Sequence, residues 1–78
     1  MFYTYVLQSK VTSKRYVGYS DDLNRRYQEH NNGLVTSTKH GRPWILVYYE
    51  ACLNEEKAIK REKYFKTGFG RRFLSQRI

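Results

Sequence analysis

A chain of 78 residues with a single cysteine, Cys52, has to hold its shape through one small hydrophobic core, because no internal disulfide can staple it. Residues 1–78 therefore read as one domain. A core this small depends on large side chains, and eight Tyr, four Phe and one Trp supply them. Each buried phenol needs a hydrogen-bond partner. Eight tyrosines exceed what packing alone favours, so some of them are expected to face a polar site. The lone thiol fits a reducing, cytoplasmic setting. The longest apolar run, Trp44 to Tyr49, is far too short to cross a bilayer, and no signal peptide is visible.

Periodicity divides the chain into six elements. Phe2 to Gln8 alternates aromatic and β-branched residues and reads as a strand, with Tyr3, Tyr5 and Leu7 on one face and Phe2, Thr4 and Val6 on the other. Arg15 to Tyr19 is a second strand, close enough to pair with the first as a hairpin. Tyr16 and Gly18 point the same way, and a glycine inside a strand marks a bulge or a close approach by another group. Ser20 or Asp21 is expected to cap a helix running to about Asn31 and closed by Gly33. Its inward stripe is Leu23, Arg26, Tyr27 and His30. Leu34 to Pro43 is a polar loop whose residues Thr36 to Arg42 are all suited to phosphate contact. Trp44 to Ala51 is a third strand, and its near-continuous apolar run predicts a central or well-covered position. Asn54 caps a helix from Glu55 to about Lys66. Gly68 and Gly70 are expected to break it before a short helix over Arg71 to Arg77. The order β-β-α-β-α-α predicts an α+β fold, a small three-stranded, mainly antiparallel sheet flanked by helices.

Glu62 is the residue that most bears on function. It sits in the basic stretch Lys60-Arg61-Glu62-Lys63-Tyr64-Phe65-Lys66, yet helical spacing places it with Ala58, Ile59 and Phe65 on the apolar side. An inward carboxylate without a partner is costly. Its natural partners are an arginine or a metal ion, and the choice separates a structural helix from a metal-dependent phosphodiesterase site. The formal charge of +8, from 15 Lys and Arg against 7 Asp and Glu, points to a polyanionic partner.

The order of these residues resembles the GIY-YIG nuclease superfamily, in particular its small single-domain members related to the nuclease domain of the UvrC repair protein. Tyr3-Thr4-Tyr5 stands where Gly-Ile-Tyr would be, and Tyr16-Val17-Gly18 matches the second motif. Asp22-Leu23-Asn24-Arg25-Arg26 followed by His30 matches the family's first helix. Arg42-Pro43-Trp44, leading into Leu46-Val47-Tyr48, and the spacing Ala58, Glu62, Lys66 complete the series. The resemblance implies hydrolysis of DNA phosphodiester bonds with one divalent cation, Mg²⁺ or Mn²⁺, in repair, recombination or degradation. It implies Tyr5, Tyr16, Arg26, His30 and Glu62 as the catalytic set, with Glu62 as the metal ligand. Many family nucleases also carry an asparagine near the C-terminus; this chain has none after Glu62.

Such residues suit that chemistry. Hydrolysis builds charge on the phosphate oxygens, which a guanidinium and a cation stabilise. A hard cation with oxygen ligands needs few carboxylates when water and substrate supply the rest. Tyr5, Tyr16 or His30 would serve as the base. The expected DNA-backbone contacts are Arg15, Lys39, Arg42, Lys60, Lys63, Lys66, Arg71 and Arg72. Plainer readings stay open. On periodicity alone, Tyr5 and Tyr16 are core tyrosines, Arg26 and Glu62 form an interhelical ion pair, His30 is an ordinary helix-end residue, and the cations only solvate the surface. The functional alternatives are a non-catalytic nucleic-acid-binding module on the same scaffold and a small interaction protein that meets an acidic partner.

Overall fold

Strand β1 (Phe2–Ser9) forms the middle of a three-stranded antiparallel sheet ordered β2-β1-β3, in the computed structural model that describes all 78 residues. Its partners are β2 (Arg15–Ser20) and β3 (Trp44–Cys52). Helices α1 (Leu23–Asn31), α2 (Glu55–Phe65) and α3 (Gly68–Ser75) complete the order β-β-α-β-α-α, the α+β arrangement that the sequence predicts. One 3₁₀ turn, Lys39–Gly41, lies in the loop between α1 and β3.

The alternation along β1 produces two cores. Tyr5 and Leu7 turn to one face and join Trp44, packed against Leu23 and Tyr27 of α1 and Tyr16 of β2. Val6 turns to the other face and meets Phe65 of α2 and Leu74 of α3. Thr4 faces the same way, and its hydroxyl donates to the Ala58 carbonyl at 2.9 Å. Thus α1 covers one face of the sheet, and α2 with α3 covers the other.

Of the two places expected for the third strand, central or well covered, the second holds: β3 is an edge strand with both faces covered, and β1 is the central, buried one. The apolar run of β3 reflects two covered faces rather than two paired edges. Trp44 and Leu46 pack in the first core, and Val47 and Tyr48 in the second. A register shift opposite Val6 and Leu7 allows that switch. Ile45 and Tyr49 remain exposed.

Helix ends follow cap chemistry. Asp22, rather than Ser20 or Asp21, caps α1 by accepting the Arg25 backbone N–H at 3.1 Å. The Ser20 hydroxyl accepts the Asp22 N–H instead, at 3.0 Å. Asn54 caps α2 as expected, accepting from the Lys57 N–H at 3.0 Å. Gly68 and Gly70 do not separate the last two helices by a gap; they form the first turn of α3, capped by Thr67. A Cβ on Gly70 would strike the Tyr64 carbonyl oxygen, so glycine permits the close approach of α3 to the end of α2. Arg61 fastens α2 to β3. It forks onto Glu50 at 2.9 and 3.0 Å and lies 4.7 Å over the rings of both Phe65 and Phe73. Burial pushes the Glu50 carboxyl up, but the bonds from Arg61 and Tyr48 outweigh it and hold the carboxyl below its usual range.

Candidate active site

The site is built around Gly18, which lies opposite Tyr5 in the β1–β2 ladder. A Cβ there would sit 2.6 Å from the Tyr5 hydroxyl oxygen and 3.1 Å from Cε1 of Tyr16. Glycine in this strand therefore reports a close approach: the Tyr5 phenol lies directly over its backbone. The Tyr5 hydroxyl is 2.7 Å from Nε2 of His30, whose Nδ1 is 2.8 Å from the Thr38 hydroxyl. The Tyr16 ring stands 4.9 Å from the imidazole and 6.5 Å from the Tyr5 ring. Arg26, one turn before His30 on α1, is near enough for its charge to act on the Tyr5 phenol and pairs with Glu29 at 3.0 Å. Four of the five residues that the sequence singles out thus converge from β1, β2 and α1.

Burial sets the charges. His30 is 0 % exposed, and desolvation, helped by the Arg26 charge, lowers its pKa to about 4. Tyr5 is 1 % exposed. Desolvation first and Tyr16 second raise its phenol to about 12, against the opposing pull of Arg26. A neutral imidazole fixes the direction of the chain. We assign Nδ1–H as donor to Thr38, whose hydroxyl reaches the Val35 carbonyl at 3.4 Å, and Nε2 as acceptor from the Tyr5 hydroxyl. Proton transfer from Tyr5 to His30 would create a phenolate and an imidazolium, each in the form that its surroundings disfavour.

Glu62 lies in the opposite layer, on α2. Its side chain is 20 % exposed, neither sealed nor free in solvent, and its nearest cation is Lys66 Nζ at 3.8 Å. The ion pair between Arg26 and Glu62 that the sequence allows is not formed, because Arg26 turns to Glu29 and Arg61 to Glu50. Since α1 and α2 cover opposite faces, the influence of Glu62 on Tyr5 is one of charge. Its charge adds to the upward push on the phenols of Tyr5 and Tyr19, though less than burial does in Tyr5 or Glu55 in Tyr19. No three His, Cys, Asp or Glu side chains are placed to hold a metal ion together. A cation at Glu62 would therefore take one protein carboxylate and fill its other positions with water and phosphate oxygens, the manner in which Mg²⁺ is commonly held. The donor set fits that ion.

The expected backbone-contact cations divide into groups. Arg15, Lys66 and Arg71 line a cleft of about 340 Å³ with Tyr16, Val17, Phe65 and Leu74. Lys60 and Lys63 lie exposed on α2, and Arg72 is exposed on α3, 5.9 Å from the ring of Phe69. Arg42 donates to the Lys39 carbonyl at 2.7 Å and braces the loop, with its guanidinium close over Gly33. The loop is less open to phosphate than its composition suggests. Thr38 is buried against His30, and its carbonyl accepts from Trp44 Nε1 at 2.7 Å. Sequence reasoning missed Thr38 and Glu29 as partners of His30 and Arg26. Glu29 stands three residues after Arg26, a helical pairing distance that could have revealed it.

The family model of the GIY-YIG catalytic domain matches residues 1–74. The chain belongs to this family. Among its relatives is a UPF0213 protein of Clostridium perfringens, 40 % identical over 67 residues, which are 85 % of this chain and 71 % of the relative. A UPF0213 protein of Staphylococcus saprophyticus is 41 % identical over 66 residues, 83 % of this chain and 79 % of the relative. The solution NMR structure of a UPF0213 protein from Bacillus halodurans superposes with a TM-score of 0.59 at 30 % identity, covering 97 % of this chain and 84 % of that one. The UPF0213 designation carries no activity. Membership of the GIY-YIG family places the chain among nucleases, which act on nucleic acid and generally depend on a divalent metal. The two motifs that name the family lie side by side: Tyr3-Thr4-Tyr5 on β1 pairs with Gly18 to Ser20 on β2, next to Tyr16-Val17. No helix is long and apolar enough to cross a membrane.

Proposed function

We propose that this chain is a divalent-metal-dependent endonuclease that hydrolyses phosphodiester bonds in DNA. The observation that carries this reading is Glu62: a half-buried carboxylate with no arginine partner, whose charge is felt at Tyr5 beside His30 and Arg26. Glu62 would hold Mg²⁺ or Mn²⁺. When bound, the cation supplies positive charge to the reacting phosphate and favours ionisation of water. Arg26 reaches the phosphate with its fork and stays charged at any working pH. Tyr5 and His30 are sealed and committed to each other, so they position the cluster instead of trading protons with water. Tyr16 is the phenol that remains to exchange a proton with water, because it is half-buried and borders the cleft that Arg15, Lys66 and Arg71 line with positive charge.

The test is cleavage of labelled DNA by the full chain with Mg²⁺ or Mn²⁺. Glu62→Ala, checked for native circular dichroism, should lose about 100-fold or more of the rate. Equal rates in both proteins would remove Glu62 from the site. The cellular setting we propose is the cytoplasm, in repair, recombination or degradation of DNA; recovery of the protein outside that compartment on fractionation would refute the location. A second reading, a module that binds DNA and leaves it intact, has one feature in its favour: no asparagine follows Glu62. Binding without cleavage under every divalent ion would establish that reading instead.

A further inference from the structure

We propose that the cleft between β2 and the α2–α3 turn seats an unpaired nucleotide of a single DNA strand, and that this strand leaves along Arg15, Arg71 and Lys14. The proposal names the substrate of the site above and rests on that nuclease reading. Three features of the surface carry it.

The first is continuity. The cleft beside Tyr16 is lined by Arg15, Lys66 and Arg71, and a shallower depression lined by Gln8, Ser13, Lys14, Arg15, Arg71 and Ser75 shares two of those cations. The two form one path from Tyr16 toward the turn that joins β1 and β2.

The second is charge. No carboxylate lines either hollow, and neither Arg15, Arg71 nor Lys14 makes an ion pair within the protein. The other hollows around the sheet differ. One places Asp21, Glu29 and Glu55 beside Arg25 and Arg26, and another places Asp21 and Asp22 beside Tyr3 and Tyr49. A phosphate chain approaching Tyr16 is repelled on those sides and attracted on this one.

The third is the floor. Between the cations the cleft is lined by the half-buried Val17 and Tyr16, and Phe65 and Leu74, themselves buried, back it from the core. A duplex keeps its bases stacked inside and offers a protein surface mainly sugar and phosphate. An unpaired nucleotide offers both an apolar base for such a floor and a phosphate for such a rim, the pairing by which single strands are commonly held.

The experiment measures binding of the full chain by fluorescence anisotropy, with chelator and no divalent ion, so that cleavage plays no part. The probes are a labelled oligothymidine, a blunt duplex of equal length and an abasic strand of equal length. Oligothymidine should bind at least tenfold tighter than either competitor. Arg15→Gln with Arg71→Gln should flatten the plot of log affinity against log salt by about 1.4, or about 0.7 for each phosphate no longer neutralised. Lys60→Gln with Lys63→Gln removes the same charge from the outer face of α2 and should flatten it less. Unchanged thermal midpoints confirm that both double variants fold. A duplex bound as tightly as the strand, an abasic strand bound as tightly as oligothymidine, or equal flattening by the two variants overturns the proposal. A wild type that binds in the expected way yet cuts nothing with any metal upholds the cleft and removes the nuclease reading. A wild type that cuts DNA but ignores strand state does the reverse.

Discussion

The Tyr5 hydroxyl lies 2.7 Å from Nε2 of His30, and both side chains are closed to solvent. Each satisfies the other, so neither is available to a water molecule. That separates the two motif tyrosines, which look alike in the sequence: Tyr5 is a buried strut, and Tyr16 borders the cationic cleft.

Phenylalanine at each position should therefore give opposite results. Tyr5→Phe leaves a buried imidazole nitrogen without its donor and should cost about 1–3 kcal/mol of stability in urea titration. Its pH–rate profile should keep the wild-type shape. Tyr16→Phe should change stability little and lower the cleavage rate by about 100-fold or more. A pH–rate profile that changes in Tyr5→Phe would return the proton-transfer role to Tyr5.

His30 makes stability depend on pH. Its folded pKa is lowered to about 4 from the ordinary 6.5, so the unfolded chain binds the proton more readily than the native one. The sign follows: stability is full above pH 6.5 and declines as the pH falls toward 4, by up to about 3 kcal/mol over the whole window. Arg26 deepens the effect and Glu29 opposes it. Glu50, also held below its usual range, adds its loss only at lower pH. Urea midpoints between pH 7 and pH 4.5 should fall steadily in the wild type. In His30→Gln, less stable at neutral pH, that slope should be much shallower.

Gly18→Ala tests the close approach in β2. The added methyl would meet the Tyr5 oxygen at 2.6 Å and Tyr16 at 3.1 Å, and Tyr5 has no space into which to retreat. Displacing it breaks the bond to His30, so the variant should lose about 1–3 kcal/mol and most of its cleavage rate. Wild-type stability and rate in this variant would show that the phenol is not held against the strand.

What the sequence disclosed and what it hid have physical reasons. Alternation placed Tyr3, Tyr5 and Leu7 on one face of β1 correctly, and the 3.6-residue period turned Arg26 and His30 toward the sheet and Glu62 inward on α2. Faces are encoded by repeating contrast, and that contrast survives in a single chain. Edges are not. The apolar run of β3 records that helices cover both of its faces and is silent on whether a neighbour pairs with its backbone, so a central strand and a well-covered edge strand read alike. Partners across space were the least legible. Glu50 meets Arg61 because α2 crosses β3, and Thr38 meets His30 because an aperiodic loop folds inward under Trp44. No spacing rule reaches either pair.

Arg26→Lys separates geometry from charge. The Arg26 pair with Glu29 joins side chains that are each about one-third exposed, so its contribution to stability is small, on the order of 0–1 kcal/mol. Lysine keeps the positive charge beside His30 and its pairing distance from Glu29. It loses the planar fork that can bond Glu29 while still presenting N–H groups to a phosphate. Stability should thus fall by less than about 1 kcal/mol, while the single-turnover cleavage rate falls by about 10- to 100-fold, as expected when an interaction is strongest in the transition state. Anisotropy without metal should show nearly unchanged DNA affinity, because the rim cations Arg15, Lys66 and Arg71 remain. A variant that loses rate only in proportion to lost folding, or only through weaker binding, would move Arg26 out of the reacting group and into the scaffold.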